Sequence, residues 1–166
     1  MGKLLSIFVV FISIYSTSVA LELSKKFHFT PFAGYFMFDK QRHIDSGVGG
    51  GINFGYFTSE NFGIDVLFGF LSTKHFENKR TVFALSLSFI KLFNFPKKEN
   101  AKFYITYGFG GNKNVGFTFG LTGGIGLKYF LKEKESFAID FSGRGFYLWN
   151  GRLDGIITAG ITYLFK

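Results

Sequence analysis

From residue 27 to the C-terminus, apolar and polar side chains alternate with a period of two, in segment after segment. That period is the mark of a β-strand, whose successive side chains point to opposite faces. The clearest case is Phe117 to Tyr129. Odd positions read Phe117, Phe119, Leu121, Gly123, Ile125, Leu127 and Tyr129, and even positions Thr118, Gly120, Thr122, Gly124, Gly126 and Lys128. A helix would scatter these two sets over every side. The same test predicts seven more strands, at 27–38, 48–57, 62–73, 81–92, 102–110, 136–148 and 155–165. Segment 27–38 is aromatic but unphased: Phe27, Phe29 and Tyr35 share one parity, Phe32, Phe36 and Phe38 the other. Pro31 sits inside it. Proline gives no N–H to a ladder, so a bulge or a late start is expected there.

Short, turn-rich stretches separate the segments, at 39–47, 58–61, 74–80, 93–101, 111–114, 132–135 and 149–154. Connections this short join antiparallel neighbours as hairpins, so the pattern predicts an all-β, eight-stranded up-and-down meander. Alternation does not say which face is wet, and a soluble barrel, a sandwich and a membrane barrel all fit it. Side-chain chemistry separates them. The polar parity is mostly Gly, Ser, Thr and Ala, with few charges: Asp65, Lys102, Lys128, Asp140 and Arg144. A water-facing exterior would be rich in Lys, Glu, Asp and Arg. Small residues instead suit the cramped interior of an eight-stranded barrel. The apolar parity carries aromatics toward the strand ends, such as Phe62 and Phe70, or Phe103 and Phe109, as the girdles flanking a lipid band do. A strand from Phe117 to Tyr129 is about 40 Å long and, tilted by about 40°, covers an apolar band of about 25 Å. The expectation is therefore a transmembrane β-barrel.

Composition agrees. Of 166 residues, 26 are Phe and 22 Gly; hydrophobic residues make up 47%, aromatics 21% and charged residues only 18%. The last figure lies below the ~25% of soluble domains. So many aromatics argue against disorder. The absence of Cys excludes a disulfide scaffold, a thiolate metal site, a Cys nucleophile and a lipid anchored through Cys. The net charge of +8 is spread in short clusters such as Lys25-Lys26 and Lys97-Lys98, with no basic stripe or nucleic-acid motif, so no nucleic-acid partner is expected.

The N-terminus reads as a signal peptide: Met1-Gly2-Lys3 is a short positive start, Leu4–Tyr15 an apolar run, and Ser18 and Ala20 stand at the small-x-small positions before a cut. The run is too short to span a bilayer as a helix. The expected division is a signal peptide over 1–20 and a barrel domain over 21–166. Export through a cleaved peptide is thus expected.

Three local patterns now resemble a known family, the small OmpA/OmpX-like outer-membrane β-barrels. Gly124-Ile125-Gly126-Leu127-Lys128-Tyr129-Phe130 looks like the family's sixth strand. Phe137–Phe146, with Asp140 and Arg144 inward, looks like its seventh. Gly160-Ile161-Thr162-Tyr163-Leu164-Phe165 looks like its closing strand. The resemblance covers all of 21–166. It implies a bacterial outer-membrane location and both chain ends in the periplasm. It also implies a C-terminal assembly signal at Ile161, Tyr163 and Phe165, read by the barrel-assembly machinery; Lys166 after the final Phe departs from the pattern. No periplasmic peptidoglycan-binding domain of the kind that many relatives carry is expected after the eighth strand, and the connections are expected to be shorter than the long outer loops of many relatives.

Among candidate sites, the inward charges Asp65, Lys102, Lys128, Asp140 and Arg144 are the sharpest constellation, because charges in a narrow interior must be paired or wet. They read either as a structural plug of salt bridges or as a gate for small solutes. Asp140 and Arg144 are four apart on one strand, about 13 Å, so each is expected to pair with another strand. Lys40, Arg42, Lys74, Lys79, Arg80, Lys113 and Arg152 fall on the outer side under this topology, where they meet either lipopolysaccharide phosphates or water. The only histidines are His28, His43 and His75, and none has a Ser two residues later on a strand. That weighs against a lipid A deacylase. No catalytic residue, cofactor or metal is expected. The leading functional expectation is a monomeric, envelope-stabilising barrel in outer-membrane lipid and lipopolysaccharide. The alternatives are a narrow OmpW-like channel and a lipid A-modifying enzyme.

Overall fold

In the computed structural model, described for residues 23–75, 78–95, 98–113, 117–131 and 136–166, eight strands run antiparallel in sequence order and the eighth closes on the first. The strands are β1 Lys26–Met37, β2 Gly47–Ser59, β3 Phe62–His75, β4 Asn78–Phe95, β5 Lys98–Lys113, β6 Phe117–Phe130, β7 Phe137–Leu148 and β8 Leu153–Phe165. The predicted signal peptide lies outside the described residues. β4 and β5 exceed the periodic segments that announced them: Asn78, Lys79 and Arg80 pair with His75, Lys74 and Thr73, and on β5 Lys98 pairs with Phe95 and Ala101 with Tyr129.

Every β–β pair is made with its neighbour in sequence, and β1 pairs with β8 from Phe27↔Phe165 to Met37↔Gly155. Closure leaves no sheet edge. The parity predicted for strands two to eight is the one observed: Phe119, Leu121 and Ile125 are exposed while Gly120, Thr122, Gly126 and Lys128 are buried.

β1 corrects the expectation of a bulge or late start. Its register to β2 is unbroken from Lys26↔Phe57 to Phe36↔Gly47. Toward β8 the ladder merely skips Thr30 and Pro31 and resumes in the same register at Phe32↔Gly160. Pro31 points outward and its missing N–H costs a local gap. The two aromatic parities are both real: Phe27, Phe29 and Tyr35 face out, while Phe32 and Phe36 face in.

The inward aromatics find room above glycines. A Cβ on Gly51 would stand 2.6 Å from Cζ of Phe32, one on Gly49 2.8 Å from Cε2 of Phe36, and one on Gly126 2.3 Å from Cζ of Tyr104. The glycines of β2 and β6 are thus the spaces that the large side chains of β1 and β5 fill. The filling has three layers. Leu23, Phe57, Ile90, Leu92, Phe130 and Leu164 pack at the end holding the chain termini. Phe36, Leu67, Leu71, Phe146, Leu148 and Ile156 pack toward the other end. A belt of polar residues lies between them.

Outside, each strand carries an aromatic near the terminal end: Phe27, Tyr56, Phe62, Phe93, Phe103, Tyr129, Phe137 and Phe165. Several touch across strands, as Phe27 does with Tyr56 at 4.8 Å and Phe137 with Tyr163 at 5.0 Å. Tyr35, Phe70, Phe83, Phe109, Phe119, Tyr147 and Trp149 form the opposite girdle, interrupted at β2 and β8 by Val48 and Leu153.

Gly51→Ala should therefore destabilise the barrel by about 1–3 kcal/mol through overpacking. Gly143→Ala, where an added Cβ meets nothing within 4 Å, should change stability little. Urea unfolding of both variants in lipid vesicles checks the contrast.

Candidate functional site

The mid-barrel belt is built by inward positions of all eight strands. Asp65 on β3, Lys128 on β6, and Asp140 and Arg144 on β7 are between 0% and 4% exposed. Arg144 reaches across the lumen to β3, where Nη2 donates to Asp65 Oδ2 at 2.7 Å and Nη1 to Oδ1 at 3.4 Å. Its Nη1 also donates to Ser86 Oγ on β4 at 3.3 Å. Asn53 Nδ2 on β2 donates to the same carboxylate at 3.1 Å. This planar, two-toothed clasp is the geometry that arginine offers a carboxylate.

The second pair is Lys128 with Asp140, which stand opposite each other on β6 and β7. Tyr104 donates its hydroxyl to Asp140 Oδ1 at 2.7 Å, and Lys128 Nζ lies 5.2 Å from the centre of the Tyr104 ring. Lys128 also donates to Thr162 Oγ1 at 3.1 Å, and Thr162 shares a 2.7 Å hydrogen bond with Thr30. Each carboxylate thus meets a cation and further donors, as buried ions require. A void of about 10 Å³ lies beside the two pairs, bordered by Asn53, Tyr104, Asp140, Ser142, Arg144 and Thr158. It holds one water molecule at most.

Of the five predicted interior charges, four form these two pairs. Lys102 is also inward and buried, directly across from Lys128, but its Nζ has no hydrogen-bond partner among the described residues. Asp140 and Arg144 each pair with another strand rather than with one another. The uncharged members Asn53, Ser86, Tyr104 and Thr162 were legible only as inward parity, and Thr30, in the unphased first segment, was not legible at all. Asp154 was missed because the last strand starts two residues earlier than its alternation showed. It is buried, accepts from the Asp39 backbone N–H at 3.0 Å and from Asn112 Nδ2, and so ties the β1–β2 connection over the barrel mouth. In that connection Ile44 is buried, and Thr73 Oγ1 donates to the Asp45 carbonyl at 2.6 Å.

The other predicted residues are distributed as follows. Ile161 and Tyr163 point outward on β8, and Phe165 ends it against Phe27 at 5.8 Å. Lys74, Lys79 and Lys113 stand exposed at the ends of β3, β4 and β5 away from the chain termini, with Arg80 beside them. Lys40 and Arg42 belong to the 3-10 turn Lys40–Arg42, and Arg152 to the β7–β8 turn. His28 is buried in the lumen against Phe57, with 4.9 Å between ring centres. His43 lies in the β1–β2 connection, and His75 ends β3.

Asp65→Asn, which leaves Arg144 buried without its counter-charge, should cost about 3–5 kcal/mol. Joint replacement of Asp65 and Arg144 by Leu and Met should recover most of that loss. Unfolding of both variants in vesicles gives the two numbers.

The comparisons with known proteins follow this architecture. A family model for the outer membrane protein beta-barrel domain matches residues 12–165. Among solved structures, OprG from Pseudomonas aeruginosa is 14% identical with a TM-score of 0.61, covering 87% of this chain and 97% of that one. Neisserial surface protein A is 17% identical with a TM-score of 0.63, covering 84% and 97%. Ail, the attachment invasion locus protein of Yersinia pestis, is 16% identical with a TM-score of 0.59, covering 86% and 99%. At such identities the likeness is one of fold. No curated protein sequence matches the chain. The family model spans nearly the whole length and the closed eight-stranded barrel is the fold of these structures: the chain belongs to the outer membrane protein β-barrel domain family.

Proposed function

We propose that this outer-membrane barrel is a closed, envelope-stabilising structural element that neither conducts solutes nor performs chemistry. The observation that carries the reading is the filling of the lumen. Two apolar clusters bracket a belt of paired charges, and Leu23 and Ile44 lie buried toward the two mouths. Opening a path for a solute would require moving packed aromatics as well as breaking ion pairs. An enzyme acting on lipid A needs its catalytic groups at the lipid face, whereas His28 faces the lumen and contacts Phe57. The apolar outer face supplies the contact with membrane lipid, and the outward parity of Ile161, Tyr163 and Phe165 suits β8 to recognition by the barrel-assembly machinery. Export through a signal peptide cleaved after Ala20 belongs to the same proposal.

A second reading, the narrow channel, draws on one observation: only side chains close the belt, and the lumen also carries Lys102, a buried lysine whose Nζ has no hydrogen-bond partner among the described residues. The two apolar clusters weigh against it. In planar bilayers, refolded wild-type protein should give no steady conductance steps. A stable ohmic current from the wild-type barrel would favour the channel and end the structural reading.

A further inference from the structure

The seven basic residues of the rim opposite the chain termini do not form one surface. Those on β3, β4 and β5 stand apart by their register. Lys74 and Lys79 are direct cross-strand partners on β3 and β4, and both are exposed. Each has the parity of the apolar outer residues: the next outward pair along the two strands is Ser72 with Thr81, and the one after it Phe70 with Phe83. The column therefore passes from aromatic to hydroxyl to ammonium as it leaves the apolar band. Lys113 continues the pattern on β5, where it pairs with Phe83 on one side and Phe117 on the other.

Like charges placed directly across a sheet repel. Among the described residues none of Lys74, Lys79 and Lys113 forms an ion pair. Asp45, whose backbone N–H bonds the Lys74 carbonyl at 3.2 Å, offers no carboxylate contact to either lysine. An anion that is itself part of the membrane surface matches this arrangement. Its phosphate sits between the two ammonium groups, the hydroxyls of Ser72 and Thr81 lie beneath it, and its acyl chains run down over Phe70 and Phe83. A soluble phosphate would use only the upper half of such a column.

We propose that the outward face of β3 and β4 at this rim is a binding site for the phosphate groups of an outer-leaflet glycolipid of the lipid A class, held by Lys74 and Lys79 with Lys113 as a third cation. The inference rests on the outer-membrane reading and on chain termini in the periplasm. Lys40, in the 3-10 turn of the β1–β2 connection, and Arg152, in the β7–β8 turn, are not among the cross-strand pairs of this column and take no part in it.

The test uses the mature chain refolded in phosphatidylcholine vesicles and a fluorescent, bis-phosphorylated lipid A as probe. Lys74→Gln/Lys79→Gln should weaken probe binding roughly tenfold, and Lys40→Gln/Arg152→Gln should leave it unchanged. Dephosphorylated lipid A should not compete, and neither inorganic phosphate nor phosphatidylglycerol should displace the probe at matched concentration. Equal loss in both double variants would reduce the effect to general charge attraction and overturn the site. Full competition by phosphatidylglycerol or by inorganic phosphate would overturn it as well. The gel shift on heating and the bilayer current report separately on the closed barrel. Lost selectivity with an intact shift and no current sinks this site alone.

Discussion

Inside hydrocarbon a backbone N–H or C=O has no water to turn to, and each one left unpaired costs several kcal/mol. The rest of this structure follows from meeting that demand by closing β1 on β8. With the edge removed, every strand can expose its apolar parity to lipid without exposing its amides. Pro31 shows how local the demand is. It is the only proline among the described residues, and the ladder toward β8 skips it together with Thr30 before resuming in register. The fold tolerates that gap because pairing with β2 is continuous through the same stretch.

Closure at eight strands then fixes how much can fit inside. The lumen is filled by side chains, and the filling is unequal: rings of Phe32, Phe36 and Tyr104 lie over glycines of nearby strands. Glycine here supplies volume. The charged belt obeys a different rule, since ions cut off from water need opposite charges at hydrogen-bond distance. Asp65 with Arg144 and Asp140 with Lys128 satisfy it. Lys102, also inward, has no hydrogen-bond partner for its Nζ among the described residues.

Much of this was legible in the sequence because lipid and lumen impose opposite chemistries on the two parities. On β6 the alternation from Phe117 to Tyr129 predicted every orientation. It failed on β1, where both parities are aromatic for unrelated reasons: Phe27 and Phe29 meet lipid, while Phe32 and Phe36 fill space left by glycines on β2 and β3. No inspection of β1 alone reveals that complementarity, because the vacant volume belongs to other strands. The inward charges were readable one by one. Their pairing was not, since Arg144 and Asp65 are 79 residues apart and meet only after closure. Asp154 escaped because a turn and the start of a strand look alike when the neighbouring inward position is Ile156 rather than a small residue.

The central claim is that one parity meets lipid and the other is shut inside a filled lumen. A chain without cysteine allows a direct test. Single cysteines placed from 119 to 127 on β6, carrying nitroxide labels, report contact with lipid-dissolved oxygen and with a water-soluble nickel chelate. The account predicts high oxygen accessibility at Phe119, Leu121, Gly123, Ile125 and Leu127. At Gly120, Thr122, Gly124 and Gly126 it predicts low accessibility to both agents. Nickel contact at the even positions would mean an open, water-filled lumen, and oxygen contact there would mean that the inside and outside have been exchanged.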